Sequence, residues 1–427
     1  MSGAPLNRWQ SLAPGVDARA RGELAARASF PGVTTRAMPD DLEQRKVQHL
    51  DLAMRPEVEP GVDPLFSCVR LVHCALPELA LEQIDLSTRL CGAQLRSPLM
   101  IVGMTGGTER AAAINRDLAR LAEEEGLAFG VGSMRAVLRD GNALATFDAR
   151  PARPPLLMAN LGAQQLAQTP DAAKRLIEAL GADGICIHLN AAQELVQEEG
   201  DRDFRGCLDA IGALCKELGE RVIVKETGCG ISPAVARALV SRGVTAIDVS
   251  GAGGTSWTRV EELRAKEPRA KALGALLADW GLPTAAALGA VREALDAQRP
   301  STRMGYAPAS APARAHAKVS LIASGGVRTG LDAARAVALG ADVVGLALPV
   351  LRAHQSGGLE GAREAIRSII ESLRAICLLC GARDLAALRE APRVLLEPLA
   401  GYLSQLLRSD AAARGFQVEA PDPSGYR

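Results

Sequence analysis

Eight short apolar runs constrain this chain more than any other feature of its sequence. They lie at 99–104, 127–132, 155–162, 184–190, 221–226, 246–251, 319–326 and 342–349, and most intervals between them hold an alanine- and leucine-rich segment of helical period. Runs with so little polar alternation are what strands covered on both faces look like. Eight of them separated by helices predict an α/β fold, a (β/α)8 barrel. A chain of 427 residues is long for one domain, but such barrels run long as single units. A hydrophobic fraction of 48% is enough for a large core.

In a parallel barrel the loops leaving the carboxyl ends of the strands line one mouth, and ligands bind there. Each run ends in chemistry on that side. The first leads into Met104, Thr105, Gly106 and Gly107, whose glycines allow a flat ring to lie against backbone. The second leads into Ser133 and Arg135, the third carries Asn160, and the eighth ends near Ala347. Glycine-rich segments follow the sixth run, Gly251 to Trp257, and the seventh, Ser324 to Gly330, with a helix expected from about Leu331. Two glycines after a strand are often only a tight turn. Coupled with the second glycine segment and the barrel count, they predict a phosphate site built from backbone amides and a helix end.

The fourth run breaks into polar chemistry. His188 and Asn190 share one face by the two-residue period of a strand, and Gln193 and Glu194 follow. The same letters suit a plain helix start, with Asn190 as cap and Gln193 at the third helical position. The polar stretch continues through Gly200 to Phe204, however, further than a cap needs. This set suits an oxyanion and a magnesium ion, with one carboxylate for a metal that keeps most of its waters. Lys225 closes the fifth run. It would be costly to bury unpaired, and Glu226 points the other way by strand alternation, so an anionic ligand is the simpler partner. Arg45 and Lys46, with His49 close by, read equally well as a solvated charge run.

Lysine plus arginine equals aspartate plus glutamate at 49 each, so charge favours neither nucleic acid nor membrane as partner, and phosphate binding must be local. Nine cysteines without a paired framework read as reduced thiols, and Cys377 with Cys380 as core packing in an apolar helix. The opening residues contain no apolar signal region, which makes a cytoplasmic protein the expectation. Residues 1–40 are expected to be a poorly ordered extension, 41–410 the barrel with an N-terminal arm, 296–317 an inserted surface loop, and 411–427 a loose tail.

The segments HLNAAQE (188–194) and QEEGDRDFRG (197–206) resemble type 2 isopentenyl diphosphate isomerase, the flavin-dependent form of that enzyme. QRKVQHLDLA (44–53), MTGGTERAAAIN (104–115), GVGSMRA (130–136), ANLGAQQL (159–166), VIVKETGCGIS (222–232), VSGAGGTSW (249–257) and ASGGVRTG (323–330) extend the resemblance in family order. It implies conversion of isopentenyl to dimethylallyl diphosphate in isoprenoid biosynthesis, with FMN, NADPH and Mg2+ as cofactors. Reduced FMN would act as acid and base, NADPH serving only to reduce it. The phosphate of FMN would meet Gly253, Gly254, Thr255, Gly325, Gly326, Arg328 and Ala347. Lys225 would face its pyrimidine end, and Met104–Gly107, Ser133, Asn160 and Ser250 would complete the flavin site. Glu194 would hold magnesium. Arg45, Lys46, His49, Arg135, His188 and Asn190 would bind the diphosphate, and Gln193 would sit near the reacting carbons, with His188 the second catalytic candidate. The resemblance also implies a homo-oligomer, a tetramer or octamer.

Three rivals share the barrel. An α-hydroxy acid oxidase needs a histidine base late in the barrel, where this chain has only His316 and His354. A relative of IMP dehydrogenase needs a cysteine loop after the sixth strand, where this chain has GAGGTSW. A flavin-binding scaffold without catalysis would have no use for Arg45–Lys46 or HLNAAQE.

Overall fold

The computed structural model describes residues 40–59, 61–297 and 319–412. The expected extension through residue 39, the insertion beyond residue 297 and the tail beyond residue 412 lie outside the described residues. The eight apolar runs form eight strands: β1 (Leu99–Ile101), β2 (Ala128–Gly130), β3 (Leu156–Gly162), β4 (Gly184–Leu189), β5 (Val222–Glu226), β6 (Ala246–Asp248), β7 (Ser320–Ala323) and β8 (Val343–Leu346). They close in sequence order into a parallel barrel, with β8 beside β1.

The two-residue period of each strand divides its apolar residues between two cores. Met100, Leu156, Met158, Cys186, Ile223, Ala246, Ile322 and Val343 form one cluster, the barrel interior. Their neighbours Leu99, Ile101, Leu157, Ala159, Ile185, Ile187, Val222, Val224, Ile247 and Leu321 belong to a second cluster shared with the outer helices. Burying one such side chain contributes about 1.5–3 kcal/mol, so a change such as Ile322→Ala costs roughly 2–5 kcal/mol with the cavity it leaves. A hairpin of Thr88–Leu90 and Ala93–Leu95 places Leu90 and Leu95 in the interior cluster. Thr88 Oγ1 donates to Asp342 O at 3.3 Å, just ahead of β8, so the hairpin plugs the amino end of the barrel. That leaves the carboxyl end open for a site.

Helix α1 (Asp40–Ala53) buries Leu50, Leu52 and Ala53, and Arg110 reaches its Asp51 at 2.6 Å. Helix α2 (Trp257–Arg264) follows β6 and packs beside α1, with Arg264 Nε donating to Gln48 Oε1 at 3.2 Å. Helix α3 (Gly330–Ala338) follows β7, one residue earlier than expected, because the Thr329 side chain and Asp332 form a reciprocal cap. The last long helix, α4 (Leu348–Leu379), breaks at Gly358. Cys377 is buried within it and Cys380 is half-buried at its cap, and all nine cysteines are unpaired. Among the described residues no helix is long and apolar enough to cross a membrane.

Candidate active site at the carboxyl ends of the strands

The inward alternation that fills the barrel with Met158, Cys186, Ile223, Ala246 and Ile322 continues two residues on as Asn160, His188, Lys225, Asp248 and Ser324. Strand register sets His188 beside Lys225 and Lys225 beside Asp248. An apolar interior thus ends in a polar ring, buried at every position. Above it opens a cavity of about 200 Å³ whose wall includes α1, the segment after β4 and the glycine loops after β6 and β7.

One wall is cationic. Arg45, Lys46 and Arg135 converge there, Lys46 Nζ 3.5 Å from Ser133 O. Burial, then the charges of Arg45 and Arg135, pull Lys46 down to about 8. Arg139 is lowered by burial and by Arg135 and Arg45. The carboxylates within reach are shared: Arg45 Nη1 meets Glu199 Oε1 at 3.1 Å and Arg135 Nη1 lies 3.6 Å from Asp201 Oδ2. Three cations gathered on one wall, with Lys46 destabilised by the other two, fit a polyanion.

The segment after β4 is not the plain helix start that its letters allowed. Asn190 precedes the helix Ala191–Val196, but its side chain makes no cap hydrogen bond. Its Nδ2 instead donates to Glu194 Oε1 at 3.0 Å and, more weakly, to Gln193 Oε1 at 3.4 Å. Glu194 Oε2 accepts the Asp201 N–H at 2.7 Å. A buried carboxylate held by one neutral donor per oxygen keeps lone pairs for a cation. No group of three or more histidine, cysteine or acidic side chains forms a metal cluster among the described residues. A single carboxylate fits Mg2+ that draws its remaining ligands from water and phosphate.

His188 Nδ1 lies 2.8 Å from Asn160 Oδ1, while Asn160 Nδ2 donates to Val131 O at 3.0 Å. The amide orientation therefore assigns the ring proton to Nδ1 and leaves Nε2 bare. Burial, then Lys225, Lys46 and Arg135, push His188 down to about 3. The expected imidazole donor to phosphate is thus a neutral ring already donating elsewhere.

Two glycine loops meet across the cavity floor. Gly325 and Gly326 have φ of +99° and +79°, a region that residues with a side chain rarely adopt. A Cβ on Gly254 would come within 2.9 Å of Gly326 N, and one on Gly325 within 2.2 Å of Gly251 O. Among the described residues the N–H groups of Gly254, Gly325 and Gly326 find no acceptor. A cradle of free amides that any side chain would fill fits a phosphate group. Ser250, at φ +38°, turns the chain into the first loop. Lys225 Nζ donates to Glu226 O at 2.6 Å, and Arg328 Nη2 meets Glu59 Oε2 at 2.9 Å. Glu226 points away as strand alternation requires. Its Oε2 takes the N–H groups of Thr227, Gly228 and Cys229, yet burial still pushes it up to about 7.

Every residue that the resemblance assigned to the flavin, the diphosphate or the metal lines this cavity except Gly106, Gly107 and Gly253. Gly106 lies against Phe147, where a Cβ would sit 1.8 Å from the ring. The Gly107 N–H donates to Thr146 Oγ1 at 2.7 Å, and Gly253, at φ +113°, is packed on Pro64. Gly106 and Gly253 are glycines for close packing, and Gly107 for its φ of +85°. His354, the late histidine an oxidase would need, is not on the wall, its Nε2 lying 2.8 Å from Asp117 Oδ2. His316 lies outside the described residues.

Three residues escaped the sequence reading. Asp248 is the buried acid beside Lys225, and both its oxygens accept from Ser324 Oγ, at 2.7 and 2.9 Å. Burial raises it. An acid inside the apolar run 246–251 was a visible signal. Glu261 on α2 meets His49 Nε2 at 2.9 Å, accepts from Gln193 Nε2 at 2.9 Å and pairs with Arg264. Burial alone would raise it, but His49, Arg264 and Gln193 together hold it at about 2. With its amide turned so that oxygen and nitrogen exchange places, the orientation that satisfies both neighbours, Gln197 donates to Glu261 Oε1 at 3.2 Å and accepts from Arg45 Nη1 at 3.0 Å. Thr284 Oγ1 ties the two glycine loops through Ala252 O at 3.1 Å and Gly325 O at 2.7 Å. Nothing in the letters around Glu261 or Thr284 announced either role.

Residues 189–394 match a family described as FMN-dependent dehydrogenase. Among solved structures the chain resembles a mandelate oxidase variant with an FMN adduct (TM-score 0.53, 16% identity, 84% of this chain and 98% of that one). It also resembles a putative lactate oxidase of Pediococcus acidilactici (TM-score 0.57, 16% identity, 86% and 97%). At such identities these likenesses carry the fold alone. Curated relatives named isopentenyl-diphosphate delta-isomerase are much nearer in sequence. The Synechococcus protein is 47% identical over 84% of this chain and 98% of its own length, and that of Stutzerimonas stutzeri 46% over 82% and 96%. The Pyrococcus horikoshii protein is 39% identical over 82% and 91%. With its FMN-type barrel and relatives aligned along nearly their whole length, this chain belongs to the isopentenyl-diphosphate delta-isomerase family.

Proposed function

We propose that this protein converts isopentenyl diphosphate to dimethylallyl diphosphate, with FMN, Mg2+ and NADPH. The carrying observation is that a cradle of free glycine amides and a wall on which Arg45, Lys46 and Arg135 converge open into one cavity, which suits two phosphorylated ligands at once. Moving the double bond of an unactivated alkene requires a proton placed on one carbon and another removed nearby, through a state of cationic character. Among the described residues Glu194 is the one carboxylate on the wall, held by Asn190 and the Asp201 N–H, while Glu261 lies off it, held by Gln193 and Arg264, so no pair of acids is poised for this. Reduced FMN, when bound, would supply the acid and base.

The chain's own residues then bind and orient. Gly254, Gly325 and Gly326 offer amides to the FMN phosphate, with Thr255, Arg328 and Ala347 beside them. Lys225 favours negative charge on the ring. Met104, Thr105, Ser133, Asn160 and Ser250 line the ring's site. Arg45, Lys46, Arg135 and Asn190 hold the diphosphate, and Glu194 holds magnesium against it. His188, kept neutral, leaves the positive charge of the wall to those cations. Gln193 is steadied by Glu261, which also faces His49, and so is set at the reacting end. Helix α1 covers the site and keeps water from it, which strengthens each ion pair beneath.

NADPH enters as the reductant alone, and the working protein is a homo-oligomer. The nine unpaired thiols support a cytoplasmic setting. Anaerobic incubation of the flavin-loaded protein with NADPH, Mg2+ and isopentenyl diphosphate tests the reading. Dimethylallyl diphosphate is the expected product, and an unshifted double bond with fully reduced flavin rejects it.

A further inference from the structure

Gly200, Asp201 and Arg202 lie in the loop behind the cavity wall, and their contacts run to the groups assigned above to metal and diphosphate. The Asp201 N–H donates to Glu194 Oε2 at 2.7 Å. Asp201 Oδ2 accepts from Gln165 Nε2 at 2.8 Å and lies 3.6 Å from Arg135 Nη1. Arg202 Nη2 donates to Gln197 O at 2.8 Å, and its Nη1 to Glu194 O. A Cβ on Gly200 would fall 2.1 Å from Glu194 O, so the loop can lie this close only with glycine there. Asp201 itself is not on the cavity wall.

One residue therefore touches the metal carboxylate through its backbone and the anion-facing arginine through its side chain. We propose that Asp201 is a positioning residue that couples magnesium at Glu194 to the diphosphate at Arg135, an inference that rests on the reading of this cavity as a magnesium and diphosphate site. Coupling between two ligands is reciprocal, so it is read as the factor by which Mg2+ tightens the anion. Partners behind a metal ligand commonly account for 10- to 100-fold in metal affinity. Asp201→Asn keeps the backbone N–H but weakens the anchor on Arg135 and Gln165. Electrostatics alone works in the opposite sense, because removing a negative charge beside Arg135 favours a bound anion.

The test is titration of flavin-loaded wild type and Asp201→Asn with inorganic pyrophosphate, in Mg2+ and in chelator. In Mg2+ the variant is expected to bind about tenfold more weakly, and in chelator as tightly as wild type or tighter. Flavin content should be unchanged, KM for the diphosphate substrate should rise with kcat near wild type, and Asp201→Glu should recover part of the loss. An equal loss with and without Mg2+, or an unchanged Mg2+ effect, overturns the assignment of Asp201. If Mg2+ does not tighten pyrophosphate on wild type, the reading of the site falls and the inference with it. Should Asp201→Asn fail to fold, Gln165→Leu, which frees the Asp201 carboxylate, must show the same metal-specific loss in smaller amount or the inference is rejected.

Discussion

His188 Nδ1 is held 2.8 Å from Asn160 Oδ1, and the Asn160 amide is itself fixed by its bond to Val131 O. The tautomer is therefore set by a strand two positions around the wall from Lys225, not by the ligand. In ¹⁵N spectra of the flavin-loaded protein, His188 should keep its Nδ1–H form with no titration above about pH 4. Its folded value, about 3, lies below the ordinary 6.5, so the unfolded chain binds the extra proton first. The group thus costs stability as pH falls from 6.5 towards 3 and costs none above 6.5. A His188 resonance that titrates near neutrality contradicts this.

Lys46 gives the anion wall a pH limit. Its ammonium, pulled down to about 8 by burial and by its cationic neighbours, is lost as pH rises through that value. KM for the diphosphate substrate should rise above that point, by about tenfold for the one charge-assisted hydrogen bond removed, while kcat changes less. Lys46→Met should carry the raised KM at all pH values and lose the alkaline limb. An alkaline limb that survives Lys46→Met assigns it to another group.

Glu194→Gln keeps the shape of the side chain and can still accept the Asp201 N–H, but it removes the formal charge that holds a divalent cation. Turnover should fall by about 100-fold or more, and half-maximal activity should need at least tenfold more Mg2+. Titration of activity against Mg2+ checks this. An unchanged Mg2+ response removes Glu194 from the metal site.

Lys225 and Asp248 face each other in register, both buried. Lys225→Ala should yield poorly flavinated protein and remove the cation that favours the charged form of buried Asp248, which lowers the thermal stability. Adding Asp248→Asn should recover much of the thermal stability without restoring the yellow colour. Flavin absorbance and thermal melting separate the two effects, and a fully yellow Lys225→Ala protein contradicts the assignment.

The eight strands were legible because a buried parallel strand must be apolar along its whole length, whatever the rest of the chain does. The carboxyl-end rule then located most of the wall from the letters that follow each run. The same letters left Asn190 between helix cap and ligand group, and Arg45–Lys46 between solvated charges and an anion site, because local sequence does not say which way a side chain turns.

Tertiary structure decided what long-range contact alone can decide. It separated Gly254, Gly325 and Gly326, which face the cavity, from Gly106 and Gly253, which are small because Phe147 and Pro64 crowd them, and from Gly107, whose φ of +85° favours glycine. It brought Glu261 to Gln193 across 68 positions and Thr284 to Gly325 across 41, and it drew the protonation of His188 from a neighbouring strand. Apolar periodicity is a property of each segment by itself and can be read there. The charge, tautomer and orientation of a buried polar group depend on partners far away in the chain, which only the closed barrel brings together.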